Sequence, residues 1–201
     1  MCDSIEYKIL QHLKRSKKGT IFLTDDFLQY GSAKAVSKAL ERLVNKEEVE
    51  RIARGVYSRL ATDPFIGKVR PSIENVAQAI AKRDKARIIP TGSMALNALG
   101  LSTQVPMKIV YLTDGSPRTL QVGKRTIKFK RVSPRSLSTK GVISSLVIQA
   151  LKEIGKGNVT DSEKEIIMKH LLNEDVEKLK HDILLAPEWI RIIMRKVLVQ
   201  E

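Results

Sequence analysis

The amino-acid sequence predicts an α+β fold with two folded parts and an α-helical C-terminal tail. Near the N-terminus, hydrophobic residues recur at helical spacing and are followed by a short glycine-centred hairpin pattern. Short β-rich stretches then alternate with helical segments up to residue 135, and residues 141–199 have a helical pattern. Residues 61–71, which contain two prolines and a glycine, separate the two parts. We therefore predict domains at 1–60 and 72–201, with 61–71 as their linker.

The N-terminal elements follow one another in a recognisable order. The pattern predicts a helix over 4–16, a short strand at 20–23 and a brief second helix that Gly31 ends. Ser32 is then the predicted N-cap of a third helix that runs to about Asn45. Two short strands with a turn at Gly55 complete the segment. This order is typical of a winged helix-turn-helix, in which the third helix enters the major groove of DNA.

The third helix is amphipathic and its outer face is basic. Val36, Leu40 and Leu43 fall on one side at 100° per residue, whereas Lys34 and Lys38 fall on the other. In a winged helix the following hairpin lies over the adjacent DNA backbone, where arginines contact phosphates. The predicted DNA contacts are therefore Ser32, Lys34, Lys38, Arg42, Arg51, Arg54 and Tyr57. The alternative is a module that docks onto another protein with the same surface.

The second part begins with a mixed α/β segment over 72–135. A helix from Ser72 to Arg83, a strand at 87–89 and a helix opened by Thr91-Gly92-Ser93 are expected there. A strand at 108–112 precedes a hairpin, 120–132, whose two-residue turn is Gly123-Lys124. The helical tail has four predicted helices, at 141–154, 161–172, 173–184 and 187–199. In the last helix, Trp189 and its apolar neighbours either pack in the core or form a seam with a partner or a second copy.

Composition and charge favour a nucleic-acid partner. The 201 residues are 42% hydrophobic and 29% charged, which is ordinary for a folded protein of one or two domains. The formal net charge is +14, and residues 71–140 alone hold 13 basic and 3 acidic residues. Aromatic residues make up only 4%, which argues against a surface that stacks unpaired bases. Double-stranded DNA is the expected partner, and a merely solvated basic surface is the alternative.

A second basic patch lies on the predicted hairpin. It consists of Lys124, Arg125, Lys128, Lys130 and Arg131. Strand alternation places Lys128 and Lys130 on one side and Ile127, Phe129 and Arg131 on the other. The patch either adds phosphate contacts, meets an acidic protein partner or is only a solvated hairpin.

The sequence gives little support to catalysis, a metal site or export. A strand, Gly-Ser, helix and strand also open the polymerase-β-like nucleotidyltransferase fold, but that chemistry needs two or three carboxylates to hold magnesium. Asp114 is the only carboxylate between Lys85 and Lys152, so we expect no enzyme, although a catalytically inactive relative remains an alternative. The three histidines lack ligand spacing, and the single cysteine, Cys2, excludes an internal disulfide. Without a signal-peptide pattern or a long apolar run, we expect a cytoplasmic protein with no cofactor and no membrane contact.

Several ordered stretches together resemble one known family. They are Phe22–Leu43 with Val49–Tyr57, Pro90–Pro106, Val110–Asp114, Ile127–Arg131 and Gly141–Leu151. This pattern resembles AbiEi-type antitoxins, the transcriptional-regulator half of type IV toxin–antitoxin (abortive infection) modules. One departure is Lys46-Glu47-Glu48, where the family tends to have a glycine before the first strand of the hairpin.

The resemblance implies a transcriptional repressor of its own operon, with a nucleotidyltransferase-like toxin as a further partner and with homodimers as one option. It carries DNA contact over to Ser32, Lys34, Lys38, Arg42, Arg51 and Arg54. The expected function is sequence-specific binding of the chain's own double-stranded operator. The alternative is a winged-helix interaction module that binds a partner protein, such as a toxin, with only non-specific DNA affinity.

Overall fold

A computed structural model describes residues 4–199, which form a mixed α/β fold. Cys2 lies outside these residues. Backbone contacts divide the chain into two units, Met1–Arg83 with Leu120–Lys124, and Asp84–Thr119 with Arg125–Glu201. No helix within 4–199 is long and apolar enough to cross a membrane.

The part of the first unit that spans residues 5–58 contains three helical segments and a small sheet. Its elements are helix α1 (Ile5–Arg15), strand β1 (Ile21–Leu23), a 3₁₀ helix (Thr24–Tyr30), helix α2 (Ala33–Asn45) and strands β2 (Glu50–Ala53) and β3 (Val56–Ser58). The three strands form an antiparallel sheet in the order β1-β3-β2. The Ser32 hydroxyl accepts a hydrogen bond from the Ala35 amide at the start of α2, so the predicted N-cap is confirmed. The helix predicted to follow Ser32 and the two strands predicted around the turn at Gly55 are confirmed as well.

The inner face of α2 anchors the core of this unit. Val36, Leu40 and Leu43 have no accessible surface, and they pack with Ile9, Leu13, Phe22 and Phe27. Full burial of such a side chain contributes roughly 1.5–3 kcal/mol. The position of α2 is therefore set by its apolar face, which leaves its polar face exposed.

Residues 61–71, predicted to be a linker, contain a hairpin instead. Strands β4 (Ala61–Asp63) and β5 (Gly67–Val69) pair antiparallel. The Asp63 carboxylate accepts hydrogen bonds from the amides of Phe65 and Ile66, at 2.8 and 3.1 Å, and so closes the turn. Lys68 and Arg70 pair with Glu47 and Glu50, which ties the hairpin to the first unit. The proline and glycine pattern thus marks a turn within a hairpin.

Helix α3 (Ile73–Arg83) belongs to the first unit by its contacts, whereas the sequence placed it in the second domain. The Ser72 hydroxyl caps it by accepting from the Asn75 amide, as predicted. The helix packs against β1, and Arg83 pairs with Asp25 at 3.4 Å. These contacts come from residues distant in sequence, which local patterns do not reveal.

The second unit combines a sheet with the helical tail. The elements after Arg83 are β6 (Ile88–Pro90), α4 (Ser93–Ala98), β7 (Lys108–Thr113), β8 (Arg118–Val122, whose last three residues group with the first unit), β9 (Arg125–Arg131), α5 (Val142–Ile154), α6 (Asp161–Leu171), α7 (Val176–Ile183) and α8 (Glu188–Arg195), with 3₁₀ turns at Pro134–Leu137 and Lys196–Val199. The strand order is β6-β7-β9-β8, with β7 parallel to β9. In α8, Ile190 and Met194 are fully buried in the helical core, so core packing holds for these residues, whereas Ile192 is 56% exposed.

Two carboxylates from later in the chain satisfy the N-terminus of α5. Glu174 accepts hydrogen bonds from the amides of Ile143 and Ser144, at 2.8 and 3.0 Å. Asp182 accepts from the amides of Lys140 and Gly141 and from the Ser144 hydroxyl. The first turn of a helix has unpaired amides and a partial positive charge, so both interactions are favourable. We call Glu174 and Asp182 the carboxylate clamp.

A methyl group at Gly141 is expected to disrupt this clamp. A Cβ there would overlap the Glu174 carboxylate and the Ser144 hydroxyl. We expect Gly141→Ala to lower the free energy of unfolding by about 1–3 kcal/mol, the usual cost of overpacking. Urea denaturation measures this loss, with Val142→Ala at the exposed neighbouring position as the control. Equal stability of the two variants would contradict the proposed crowding.

Candidate nucleic-acid interface

The outer face of α2 is a continuous polar strip. At 100° per residue, Lys34, Lys38, Glu41 and Asn45 lie opposite the buried face that Val36 marks. All four strip residues are exposed. Ser32 precedes them, and because its hydroxyl uses an oxygen lone pair in the cap, its proton remains able to bind an external acceptor. The strip thus offers two ammonium groups and a hydroxyl to a ligand along one side of a helix.

Arginines border this strip on both flanks. On the α1 side, Arg42 lies 3.7 Å from the Glu6 carboxylate, which also binds Lys46 at 2.6 Å. The hydrogen bond from Lys46, together with the charges of Lys46 and Arg42, lowers the pKa of Glu6. On the other flank, a groove of about 540 Å³ is lined by Ser37, Glu41, Asn45, Arg51 and Arg54. A cylindrical ligand along α2 would therefore meet positive charge at both edges.

Four of the basic side chains on this surface have no acidic partner within the described chain. Among residues 4–199, no ion pair engages Lys34, Lys38, Arg51 or Arg54. By contrast, Arg42, Lys46, Lys68 and Arg70 each pair with a glutamate of the same unit. An external anion can bind the unpaired cations without first breaking an internal contact. Unpaired cations thus lie both on the strip and on the β2–β3 hairpin.

The tip of the β2–β3 hairpin, which carries the two arginines, has a fixed position. Gly55 has a φ of +73°, a left-handed conformation that glycine adopts readily. The Thr24 amide donates a hydrogen bond to the Gly55 carbonyl at 3.1 Å, which joins the tip to the start of the 3₁₀ helix. Both Arg51 and Arg54 are exposed on this hairpin. The tip is therefore positioned by contacts of its own.

Tyr57 has a different place from the one the sequence indicated. Its exposed fraction is 7%, and it packs in the core with Phe22 and Leu40. Position 57 lies in β3, the central strand of the sheet, and all three residues of that strand are buried. We correct the prediction accordingly: Tyr57 lines the groove beside Arg51 and Arg54, but as a mostly buried ring and not as an exposed contact residue.

The second basic patch keeps its exposed lysines. Ile127 and Phe129 are buried whereas Lys128 and Lys130 are exposed, so the predicted alternation is confirmed over residues 127–130 of β9. Arg131 is exposed too, Arg125 is half-buried, and Lys124 is exposed in the turn after Gly123. The described residues provide no ion pair to any of these five cations. The patch is thus a second unpaired cationic surface.

Features that suggested phosphoryl chemistry are engaged in internal contacts. Asp114 accepts a hydrogen bond from the Arg87 amide at 2.8 Å and pairs with its guanidinium. The Glu153 carboxylate lies against Gly92, where a nucleotide phosphate would approach a Gly-Ser helix start. Residues 4–199 contain no cluster of three or more His, Cys, Asp and Glu side chains suited to a metal ion. Ser144 donates its hydroxyl proton to Asp182 and not to His181, so these three residues lack the order of a catalytic triad.

The three histidines are half-buried and each has a hydrogen-bond partner. His12 bonds the Tyr30 hydroxyl, His170 bonds the Leu99 carbonyl, and His181 bonds Asp182.

Sequence reasoning assigned no role to Glu41 or to the carboxylate clamp. The signal for Glu41 was present, because it follows Lys38 by three residues and Lys34 by seven. The clamp gave no local signal, because its carboxylates lie 30 to 42 residues from the groups they bind.

Comparison with known proteins adds a family and no activity. Residues 8–179 match a family model described as DUF6088, a family of unknown function. No curated protein matches the chain significantly.

Proposed function

We propose that this chain, which belongs to the DUF6088 family of unknown function, is a sequence-specific double-stranded DNA-binding repressor of its own operon. The observation that carries this proposal is the exposed strip of α2, on which Lys34 and Lys38 have no acidic partner in the described chain. The unpaired Arg51 and Arg54 border the same strip. Duplex DNA is a polyanion whose affinity for proteins rests largely on such contacts.

The order of elements in the first unit supports the proposal of a winged helix-turn-helix. Helix, strand, short helix, helix and hairpin follow in that order, and the strands pair as β1-β3-β2. In our proposal, α2 enters the major groove and the β2–β3 hairpin lies on the adjacent backbone. Phosphate contacts from Ser32, Arg42, Arg51 and Arg54 set the register, and Lys34 and Lys38 contact base edges.

The resemblance to AbiEi-type antitoxins extends this proposal to a toxin–antitoxin module. The partner would be a nucleotidyltransferase-like toxin encoded beside this chain. The second basic patch is then a candidate surface either for DNA phosphates or for an acidic face of the toxin. This part rests on resemblance, and co-purification of the chain with the product of the adjacent gene tests it.

The first experiment is an anisotropy titration with the chain's own upstream DNA and with a scrambled duplex, at about 150 mM salt. A preference of about 10³ or more for the upstream DNA, the low end for specific binders, supports the repressor. Equal and salt-sensitive affinity for both duplexes would reduce the surface to a non-specific polycation. Weak DNA affinity together with tight binding of a protein partner would favour the interaction module.

The proposed role of the β2–β3 hairpin can be tested separately. Arg54→Ala is expected to weaken binding to operator and random DNA about equally, because a phosphate contact carries no sequence information. The slope of log K against log salt should fall by about 1, since one contact fewer releases fewer counterions. Titrations at several salt concentrations measure this slope. Arg15→Ala, which removes an exposed arginine from α1, is the matched control. An unchanged slope in Arg54→Ala would remove the hairpin from the interface.

A further inference from the structure

Glu41 is a carboxylate in the middle of the basic strip. It is exposed, it lies three residues after Lys38 on the same face, and it lines the groove with Arg51 and Arg54. Within residues 4–199, no side chain forms an ion pair or a hydrogen bond with the Glu41 carboxylate. By contrast, Glu6, Glu47 and Glu50 of the same unit each bind a lysine or an arginine. Glu41 thus retains its full acceptor capacity on the surface that we propose for DNA.

An unpaired carboxylate at this position opposes binding to phosphates. Like charges repel, and salt screens this repulsion only beyond about 8–10 Å. The charge becomes favourable only where the ligand offers a hydrogen-bond donor. In the major groove, the donors are the amino groups of cytosine and adenine. Adenine also presents its N7 acceptor beside the amino group, whereas cytosine presents a donor alone. An acceptor-only side chain therefore matches cytosine best.

We propose that Glu41 is a specificity-determining residue that accepts a hydrogen bond from the N4 amino group of a cytosine in the operator. This inference rests on the proposed function. Side chains three residues apart on a helix are about 5–6 Å apart at Cβ, and neighbouring base pairs are about 3.4 Å apart. Glu41 and Lys38 therefore contact base pairs no more than about two steps apart, with Lys38 on a guanine. The strip selects a short G·C-containing segment.

If Glu41 has this role, its removal should raise the affinity for random DNA and lower the discrimination between the operator and other sequences. Removal of the carboxylate relieves repulsion, so random duplex should bind about twofold to tenfold more tightly. At the same time, preference for cytosine at one position should fall about tenfold or more. A residue that only supports the helix would weaken both, and a phosphate contact would do the same. A variant that binds random DNA more tightly but discriminates less well is therefore the diagnostic result.

The test compares the full-length wild type, Glu41→Ala and Glu41→Gln by selection from a randomised duplex library and by anisotropy on one random 25-bp duplex. We expect both variants to lose the cytosine preference at a single position, and Glu41→Gln to favour adenine there, which a carboxamide contacts at N6 and N7. Glu165→Ala removes an exposed, unpaired carboxylate from α6 and controls for net charge. Circular dichroism checks that each variant is folded.

The outcomes separate this inference from the function on which it rests. If the wild type enriches no motif, the repressor proposal fails. If the wild type enriches a motif that Glu41→Ala enriches unchanged, only the role of Glu41 fails. The role fails as well if Glu165→Ala tightens random binding as much as Glu41→Ala does, because the effect would then reflect net charge alone.

Discussion

Replacement of both Lys34 and Lys38 by alanine is expected to weaken operator binding by about 2–6 kcal/mol, which is about 1–3 kcal/mol for each lysine that contacts a base. Both side chains are exposed and neither has an acidic partner within residues 4–199, so their removal breaks no internal contact. Alanine is also a strong helix former, and the free energy of unfolding should change by less than about 0.5 kcal/mol. Anisotropy on operator DNA and urea denaturation measure the two quantities.

The matched control is the pair Lys17→Ala and Lys18→Ala, which removes two exposed lysines from the turn after α1 with the same change in net charge. This control should retain most of the operator affinity. Random DNA separates the two roles of the strip lysines. If the variant loses more affinity for operator than for random DNA, the lysines contact base edges. If both affinities fall equally, the lysines contact phosphates. Wild-type affinity in the Lys34/Lys38 variant would remove α2 from the interface.

Asp182→Asn is expected to lower the free energy of unfolding by about 3–5 kcal/mol, the usual cost of breaking a buried charged network. The Asp182 side chain has no accessible surface. It accepts hydrogen bonds from the amides of Lys140 and Gly141, from the Ser144 hydroxyl and from His181. An asparagine provides one acceptor oxygen, and its amino group would face these donors. Urea denaturation measures the loss, and Asp161→Asn, whose carboxylate is 93% exposed, should change stability little.

The Asp182 carboxylate also makes the stability of the protein depend on pH. Burial acts to raise the pKa of Asp182, but hydrogen bonds from Ser144, His181 and the amides of Lys140 and Gly141 outweigh it, so the pKa is lowered. A folded-state pKa below the unfolded value of about 3.9 contributes stability above that value, and the contribution disappears as pH falls through the folded pKa. The stability difference between wild type and Asp182→Asn should therefore be full at neutral pH and shrink below about pH 4. A difference that stays constant down to acid pH would contradict the assignment.

Most of the secondary structure could be predicted from the sequence, because local physics specifies it. The apolar period of Val36, Leu40 and Leu43 gave both the extent of α2 and its buried face. Ser32 gave its start, since a serine hydroxyl can satisfy an amide of the first turn. The alternation along β9 likewise separated Lys128 and Lys130 from the core. In each case, the chain carries its own pattern within a few residues.

Local patterns failed where distant residues decide the outcome. The 61–71 segment has the composition of a linker, yet it forms a hairpin whose Lys68 and Arg70 pair with Glu47 and Glu50, about 20 residues earlier in the chain. Tyr57 stands beside two surface arginines in the sequence, but the core cluster around Phe22 buries its ring.

The sequence by itself therefore determined the elements of this protein and the basic, amphipathic character of α2, since hydrophobic period, capping and charge are local properties. Only the tertiary structure decided which charges stay unpaired. Glu6 lies far from Arg42 and Lys46 in the chain and pairs with both, whereas Glu41 finds no partner in the described chain although Lys38 is only three residues away. Ion pairing requires two charged atoms within about 4 Å, and helix packing sets such distances.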